Sequence, residues 1–328
     1  MVGPAPPVAA TRVAVRRILQ GVRADALVFV ACSGGADSLA LAAATAFVAP
    51  RMGLRAGLVT IDHGLQDGSD RRAAAVAEWG SSVGLRPSVV VPVTVAGRPG
   101  GPEAAAREAR YLALLDTARA HGACAVLLGH TRDDQAETVL LALARGAGPR
   151  GMAAMPDRRD VSGVALLRPL LDMSRDEARK ACAALGLEPW EDPHNADPAY
   201  ARSRVRTSAL PALVDALGPG VVPNLARTAR LLAQDTQALD VLAAEELERA
   251  RVDDGLSVAM LEALLPALRA RALHAWALSL GCSPAALSHR HVTALEALVT
   301  AWHGQGAVHL PGGIRAGRVA GVLRVVTD

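Results

Sequence analysis

Four short, almost wholly apolar runs punctuate the first 130 residues: LVFVAC (27–32), RAGLVTI (55–61), SVVVPVTV (88–95) and AVLLG (125–129). Between them lie segments with apolar residues at helical spacing, at 39–49, 70–84 and 103–121, and another helix runs to Arg145. A strand that is apolar at successive positions is buried on both faces. Such strands, separated by helices, fold as a parallel sheet with helices packed on each side. Ligands of these sheets bind beyond the carboxyl ends of the strands. The polar motifs of this chain fall there.

A helix is expected over 8–23, ahead of the first strand. After the fourth strand and its helix, 146–172 reads as loop-rich, 174–185 as a helix, and 188–206 as a segment dense in proline and aspartate. From 219 the strand signal stops, and 221–250 and 258–300 are rich in leucine and alanine at helical spacing. The tail 307–326 alternates around Gly312-Gly313, which predicts a terminal β-hairpin. The expected organisation is an N-terminal helix (1–24), a catalytic domain (25–218), a helical domain (219–300) and a hairpin (301–328) packed on it. A hydrophobic content of 51% excludes a disordered chain. No apolar window reaches the ~18 residues of a membrane span. The N-terminal segment carries its arginines after small residues, with no apolar stretch following, unlike a secretory signal. The four cysteines (Cys32, Cys124, Cys182, Cys282) are scattered and form no CxxC pair, so a reduced, cytoplasmic protein with cysteines as small core residues is expected.

The strongest chemical signal is CSGGADS at 32–38, where the first strand runs into Ser33-Gly34-Gly35 and a helix opens near Asp37-Ser38. Glycines let the backbone approach an anion closely, and the unpaired N–H groups of a helix start then hold it. Ser33 and Ser38 add hydroxyl donors. Asp37 repels phosphate, so a carboxylate there makes sense as a Mg²⁺ ligand or as an orienter of a second substrate. No GxxxxGK[ST] occurs, so the site is not of the Walker type. GAGPRG (146–151) formally matches a dinucleotide loop, but it follows a helix instead of a strand and reads as a turn. Beyond the fourth strand, Gly129 leads into His130, Asp133, Asp134 and Glu137; spacings of three and four place His130, Asp133 or Asp134, and Glu137 on one helical face. That set suits a metal, an ammonium group or a base. Arg202, Arg204 and Arg206 are read as an extended segment in which alternate side chains project the same way.

SGGADS in this position resembles the pyrophosphatase loop of the ATP α-hydrolases, which activate a substrate by adenylation. IDHGLQ (61–66), GPEAAAREARYLALL (101–115) with Glu103, Arg107 and Arg110, GHTRDDQAET (129–138), RPLLDMSRDE (168–177) and WEDPHNADPAYARSRVR (190–206) follow in order. Together they are similar to the bacterial tRNA(Ile)-lysidine synthetase family, in a short form lacking a further C-terminal domain. Ser203 stands where that family more often has asparagine. The resemblance implies an α/β fold: a Rossmann-like, parallel-sheet nucleotide α-hydrolase domain, then a smaller all-α domain and a terminal hairpin. It implies ATP and Mg²⁺, free L-lysine, and the tRNA(Ile) with a CAU anticodon; whether a second copy of the chain also takes part is left open. ATP would lie on Ser33, Gly34, Gly35, Ala36, Asp37, Ser38, Asp62 and Gly129, with Asp37 on the metal. Asp134 and Glu137 would take lysine, by its α-amine or by deprotonating its ε-amine. Asp37, Arg110, His130, Asp134 and Arg202 form the expected catalytic set, and Arg107, Arg202, Arg204, Arg206, Arg227 and Arg230 the RNA contacts.

The rival reading is an amidating ligase of the same loop class, acting with ammonia on a small molecule. A bare nucleotide sensor has no need of both SGGADS and the HTRDDQ cluster, and thiolating relatives need cysteine pairs that this chain lacks. Charge placement favours RNA. The net charge is only +3, and 34 of the 35 basic residues are arginine, a skew ascribed to overall composition. Within 199–232, however, five arginines face one aspartate, Asp215. A local positive surplus of that kind suits RNA phosphates.

Overall fold

The computed structural model describes residues 3–62, 64, 68–94, 102–191, 197–284 and 286–326, without the side chains of 102–106. Parts of the IDHGLQ and WEDPHN motifs, Val95 and the Glu103 side chain therefore lie outside the described residues. Contacts divide the chain into Met1–Leu231 and Leu232–Asp328. The division falls inside one long helix, α10 (Val221–Ala250), 13 residues beyond the expected domain start at 219.

The first unit is built on a six-stranded sheet in the order β3-β2-β1-β4-β6-β5. The four apolar runs supply β1 (Leu27–Ala31), β2 (Arg55–Asp62), β3 (Ser88–Pro92) and β4 (Ala123–Leu127). All pair in parallel. Two further strands, β5 (Arg158–Val161) and β6 (Val164–Leu167), come from the stretch read as loop. β6 joins β4 in parallel, and β5 closes the edge antiparallel to β6.

Burial on both faces explains the unbroken hydrophobicity of β1. Val28 and Val30 pack among α1 (Pro6–Leu19), α2 (Ala36–Arg51) and α7 (Arg175–Ala184), whereas Leu27 and Phe29 meet Leu114 and Ala118 of α4 (Pro102–Ala120). The N-terminal helix thus belongs to the first unit's core, with Val15 and Leu19 fully buried. α3 (Ser69–Ser82) covers β2 and β3. The sheet order reverses between β1 and β4, so a crevice opens beyond their carboxyl ends. SGGADS and GHTRDD sit at those two ends.

The second unit carries the C-terminal half of α10, then α11 (Val258–Ala263), α12 (Pro266–Ser279) and α13 (His289–Thr300). Its strands correct the expectation of an all-α region with a simple hairpin. β7 (Arg251–Val252), β8 (Gly255–Ser257), β9 (Val308–Leu310), β10 (Ile314–Val319) and β11 (Val322–Val325) form one antiparallel sheet, ordered β7-β8-β11-β10-β9. β7 and β8 are two and three residues long, too short to show an alternating period. The expected Gly312-Gly313 turn joins β9 to β10, and both glycines adopt positive φ. Leu256, Ala316 and Leu323 of the sheet close one core with Leu273, Trp276 and Leu295 of the helices. No single helix among the described residues is long and apolar enough to cross a membrane. Because Trp276 is 1% exposed at the centre of that core, Trp276→Ala should destabilise the second unit by about 3–5 kcal/mol, read as a lower denaturant midpoint.

Candidate active site

The glycine loop follows from the β1–α2 connection. Gly34 takes φ +85°, a conformation that strains any residue with a Cβ, and a Cβ there would also meet Val76 of α3 at 3.1 Å. Gly35 is the N-cap of α2, so the N–H groups of Ala36, Asp37 and Ser38 have no partner within the helix and face the crevice. Ser38 closes the loop on itself: its Oγ donates to Gly35 O (2.9 Å) and accepts from Ser33 N (3.2 Å). The loop is backed by Trp190, whose N–H donates to Gly34 O (2.9 Å), and by an apolar cavity of about 280 Å³ lined by Leu39, Val76, Trp79 and Leu187. From the other strand, Gly129 comes so close to the start of α2 that a Cβ would lie 3.3 Å from Asp37 C and O and Ser38 Cα.

Asp37 is the outlier of the loop. Burial first, then the neighbouring Asp134 charge, push its pKa up to about 7, against the pull of Arg175, Arg206 and Arg179. Its Oδ1 is buried with no hydrogen-bond partner, and Arg175 Nε lies 3.8 Å from Oδ2. A carboxylate so placed is only weakly compensated, with Oδ1 open to a further cation. Among the described residues no three His, Cys, Asp or Glu side chains converge as metal ligands. Asp37 therefore fits Mg²⁺ as a lone protein carboxylate, in the usual manner where the substrate's phosphates and water complete the shell.

Beyond β4, Thr131 caps α5 (Arg132–Ala144), and Asp134 completes a capping box by accepting from Thr131 N (2.8 Å) and Oγ (3.0 Å) through Oδ2. One turn later Glu137 is fully buried. Three arginines converge on the pair. Arg175 Nη2 reaches Asp134 Oδ1 (3.1 Å) and Glu137 Oε1 (3.0 Å). Arg202 donates through Nε to Glu137 Oε2 (2.8 Å) and through Nη2 to Asp134 Oδ1 (3.2 Å). Arg206 grips Glu137 with two parallel bonds, Nε to Oε1 (2.7 Å) and Nη2 to Oε2 (3.0 Å). Burial opposes ionisation, yet Arg202 and Arg175 hold the Asp134 pKa down to about 2, and the Arg206 hydrogen bonds keep Glu137 below the carboxylate range. His130 precedes the helix. Burial, aided by Arg168, Arg110 and Arg202 and only partly offset by Asp134, lowers its pKa to about 3, so the imidazole is neutral.

The arginine-rich segment corrects the extended reading. Residues 201–217 are helical: α8 (Ala201–Arg204), a π-helical turn (Val205–Ala209) and α9 (Leu210–Leu217). Arg202 and Arg206, four apart, share the face turned to α5, whereas Arg204 donates to Pro198 O (2.7 Å) and Ala199 O (3.0 Å). GAGPRG likewise holds a single helical turn, α6 (Gly148–Met152), after glycines with positive φ, and opens no longer helix. Asp37, Asp134, Glu137, Arg202 and Arg206 are thus brought together. Asp62 instead accepts from Gly64 N (3.0 Å) and from Ser69 Oγ (2.6 Å) at the start of α3. Arg107 and Arg110 flank the Tyr111 ring. Arg227 is exposed, and Arg230 shares Asp172 with Arg17 on the surface.

Two contributors escaped the sequence reading. Arg175 joins three carboxylates from the first turn of α7, where Ser174 and Glu177 form a reciprocal capping box; the Ser-x-x-Glu spacing signals that helix start. Arg168, buried at the end of β6, donates to Pro156 O (2.7 Å). With Arg107 it pulls Tyr111 below the phenol range although burial opposes this.

The PP-loop domain family matches residues 10–213, and the TilS substrate binding domain matches 256–323. The tRNA(Ile)-lysidine synthase of Salinispora tropica is 68% identical over 323 residues, covering 98% of this chain and 97% of that one. Its namesakes from Thermobifida fusca (56%, the whole of both chains) and Streptomyces coelicolor (51%, 98% of both) also align from end to end. The chain belongs to the tRNA(Ile)-lysidine synthase family. Among solved structures, a U34-tRNA thiolase from Methanococcus maripaludis with its [4Fe-4S] cluster shares the fold at 19% identity, with a TM-score of 0.56 over 69% of this chain and 80% of that one. In this member of the lysidine synthase family, burial pushes all four free cysteine thiols above their usual pKa, which suits packing and not thiolate chemistry.

The raised pKa of Asp37 has a thermodynamic signature. The folded state holds the proton up to about pH 7, whereas the unfolded carboxyl releases it near 4. Its destabilising charge is thus absent at pH 4, grows as pH rises, and is complete above 7. Asp37→Asn should raise Tm at pH 8, and the gain should vanish as pH falls towards 4.

Proposed function

We propose that this protein ligates free L-lysine to C2 of the wobble cytidine in the CAU-anticodon tRNA(Ile), consuming ATP. The cytidine O2 attacks the α-phosphorus of ATP, and the bond to the β-phosphate breaks, releasing pyrophosphate. The ε-amine of lysine, as the unprotonated base, then attacks C2; AMP departs with the former O2, and the proton lost from nitrogen passes to solvent. The observation that carries this reading is the pairing of two unlike acidic sites in one crevice. Asp37, at the anion-binding loop, has only Arg175 beside it, at 3.8 Å, and its buried Oδ1 has no hydrogen-bond partner among the described residues. Asp134 and Glu137, held ionised, are surrounded by cations.

In this reading the loop N–H groups of Ala36, Asp37 and Ser38 take the pyrophosphate portion of ATP. Asp37 holds Mg²⁺, which when bound neutralises charge gathering on the leaving pyrophosphate. Asp134 and Glu137, with pKa values held down, are poor bases, so their role is to seat lysine's α-ammonium, leaving the ε-amine free to react, instead of removing a proton. Neutral His130 and the cationic Arg110 face the adenylated base. The exposed Arg227 and Arg230 offer phosphate contacts, with Arg107 nearer the crevice. We place the reaction in the cytoplasm, where charged nucleotides, lysine and tRNA coexist.

Incubation with ATP, labelled lysine and transcripts bearing CAU anticodons should label the isoleucine tRNA and spare the methionine one. Asp37→Asn and His130→Ala should each lower the rate by about 100-fold or more. Full lysine incorporation by either variant, or ammonia-driven turnover of a mononucleotide that ignores salt, would overturn the reading.

A further inference from the structure

Glu137 and Asp134 have no acceptor capacity left. A carboxylate offers about four lone-pair sites. Glu137 already accepts from Arg175, from Arg202 and twice from Arg206. On Asp134, Oδ2 is taken by the Thr131 cap, and Oδ1 by Arg175, Arg202 and, at 3.4 Å, Arg206. An ammonium group that binds these carboxylates must displace a guanidinium.

The three arginines are not equally fixed. Arg175 also faces Asp37, and its backbone N–H donates to Asp133 Oδ2 (2.8 Å) at the capped start of α7. Arg202 is tied to the α5 backbone as well, through Asp134 O at 3.4 Å. Among the described residues Arg206 bonds only to the two carboxylate side chains, and it is the most exposed of the three, at 26%. It alone sits in the π-helical turn. Such turns are local insertions within α-helices and concentrate at functional sites.

We propose that Arg206 is a placeholder cation: it occupies on Glu137 the position that the ammonium of the lysine substrate takes, and lysine binding displaces it. The inference rests on the reading that Asp134 and Glu137 seat lysine. The exchange conserves charge, one cation leaving as another enters, so the buried carboxylates are paired in both states. Arg175 and Arg202 keep Glu137 paired throughout, so Arg206 is the one cation that can leave without stranding a buried charge. The device also selects: a ligand without a cation has nothing to exchange for Arg206.

Calorimetric titration of L-lysine into the full chain, with a non-hydrolysable ATP analogue present, tests this. Arg206→Met should bind lysine about tenfold more tightly than the wild type, because the competitor is gone. Arg206→Lys should stay near the wild type. Glu137→Gln should lose lysine binding. If Arg206→Met binds lysine equally or more weakly while Glu137→Gln has lost it, the placeholder fails and the lysine site stands. If Glu137→Gln binds lysine normally, the site itself is wrong. A measurement on the unmutated protein is independent of any folding defect. The Arg206 Nε–H resonance, identified by its absence in Arg206→Lys, should be protected from solvent exchange without lysine and lose protection at saturation, while Arg202 keeps its own. Retained protection of Arg206 with lysine bound would overturn the proposal.

Discussion

Glu137 is fully buried, and a carboxylate in that position stays ionised only where cations come to it. Three do, and they arrive from two separate stretches of chain: Arg175 from the start of α7, Arg202 and Arg206 from the helical segment 201–217. The ion cluster therefore acts as a clasp that gathers the end of β4, α7 and the last helical segment before α10 around one point. Asp37 lies at its margin and is left the least compensated, with one arginine 3.8 Å away. The contrast between the two acidic sites follows from counting charges. Asp134 and Glu137 share three guanidinium groups, and Asp37 receives little of that compensation while also feeling Asp134.

The placement of this cluster follows from sheet topology. Reversal of strand order between β1 and β4 separates the helices that follow them to opposite faces, leaving their N-termini side by side above the sheet edge. An anion-binding helix start and an acidic helix start become neighbours with no special adaptation of either loop. The Thr131–Asp134 capping box has a double use here. Oδ2 of Asp134 satisfies the helix start, which aims Oδ1 into the crevice.

Much of this was legible in the residues. Strands β1 to β4 announce themselves because both faces are buried, and SGGADS and the HTRDDQ cluster are local motifs whose function depends on short stretches of backbone. β5 and β6 are four residues each and lie in a stretch interrupted by glycine and proline, so no period emerges. The arginines at 202–206 defeat local reading for a different reason. Their helical state, with Arg202 and Arg206 on one face, is stabilised by carboxylates 65 and more positions earlier, and spacing alone cannot distinguish that from an extended segment. Arg175 was hidden likewise, its neighbours signalling only a helix cap. The positive surplus at 199–232 is real as composition, but two of its five arginines, Arg202 and Arg206, are neutralised internally.

Gly129 joins the two halves of the crevice more intimately than any side chain. With no Cβ, the chain leaving β4 rests directly on the backbone of Asp37 and Ser38. The loop that would carry the nucleotide and the helix that would carry the amino acid are thus seated on each other, with no deformable layer between. Their spacing is set by bare peptide thickness, so even a single methyl group at this position would act as a shim between the sites of the two half-reactions.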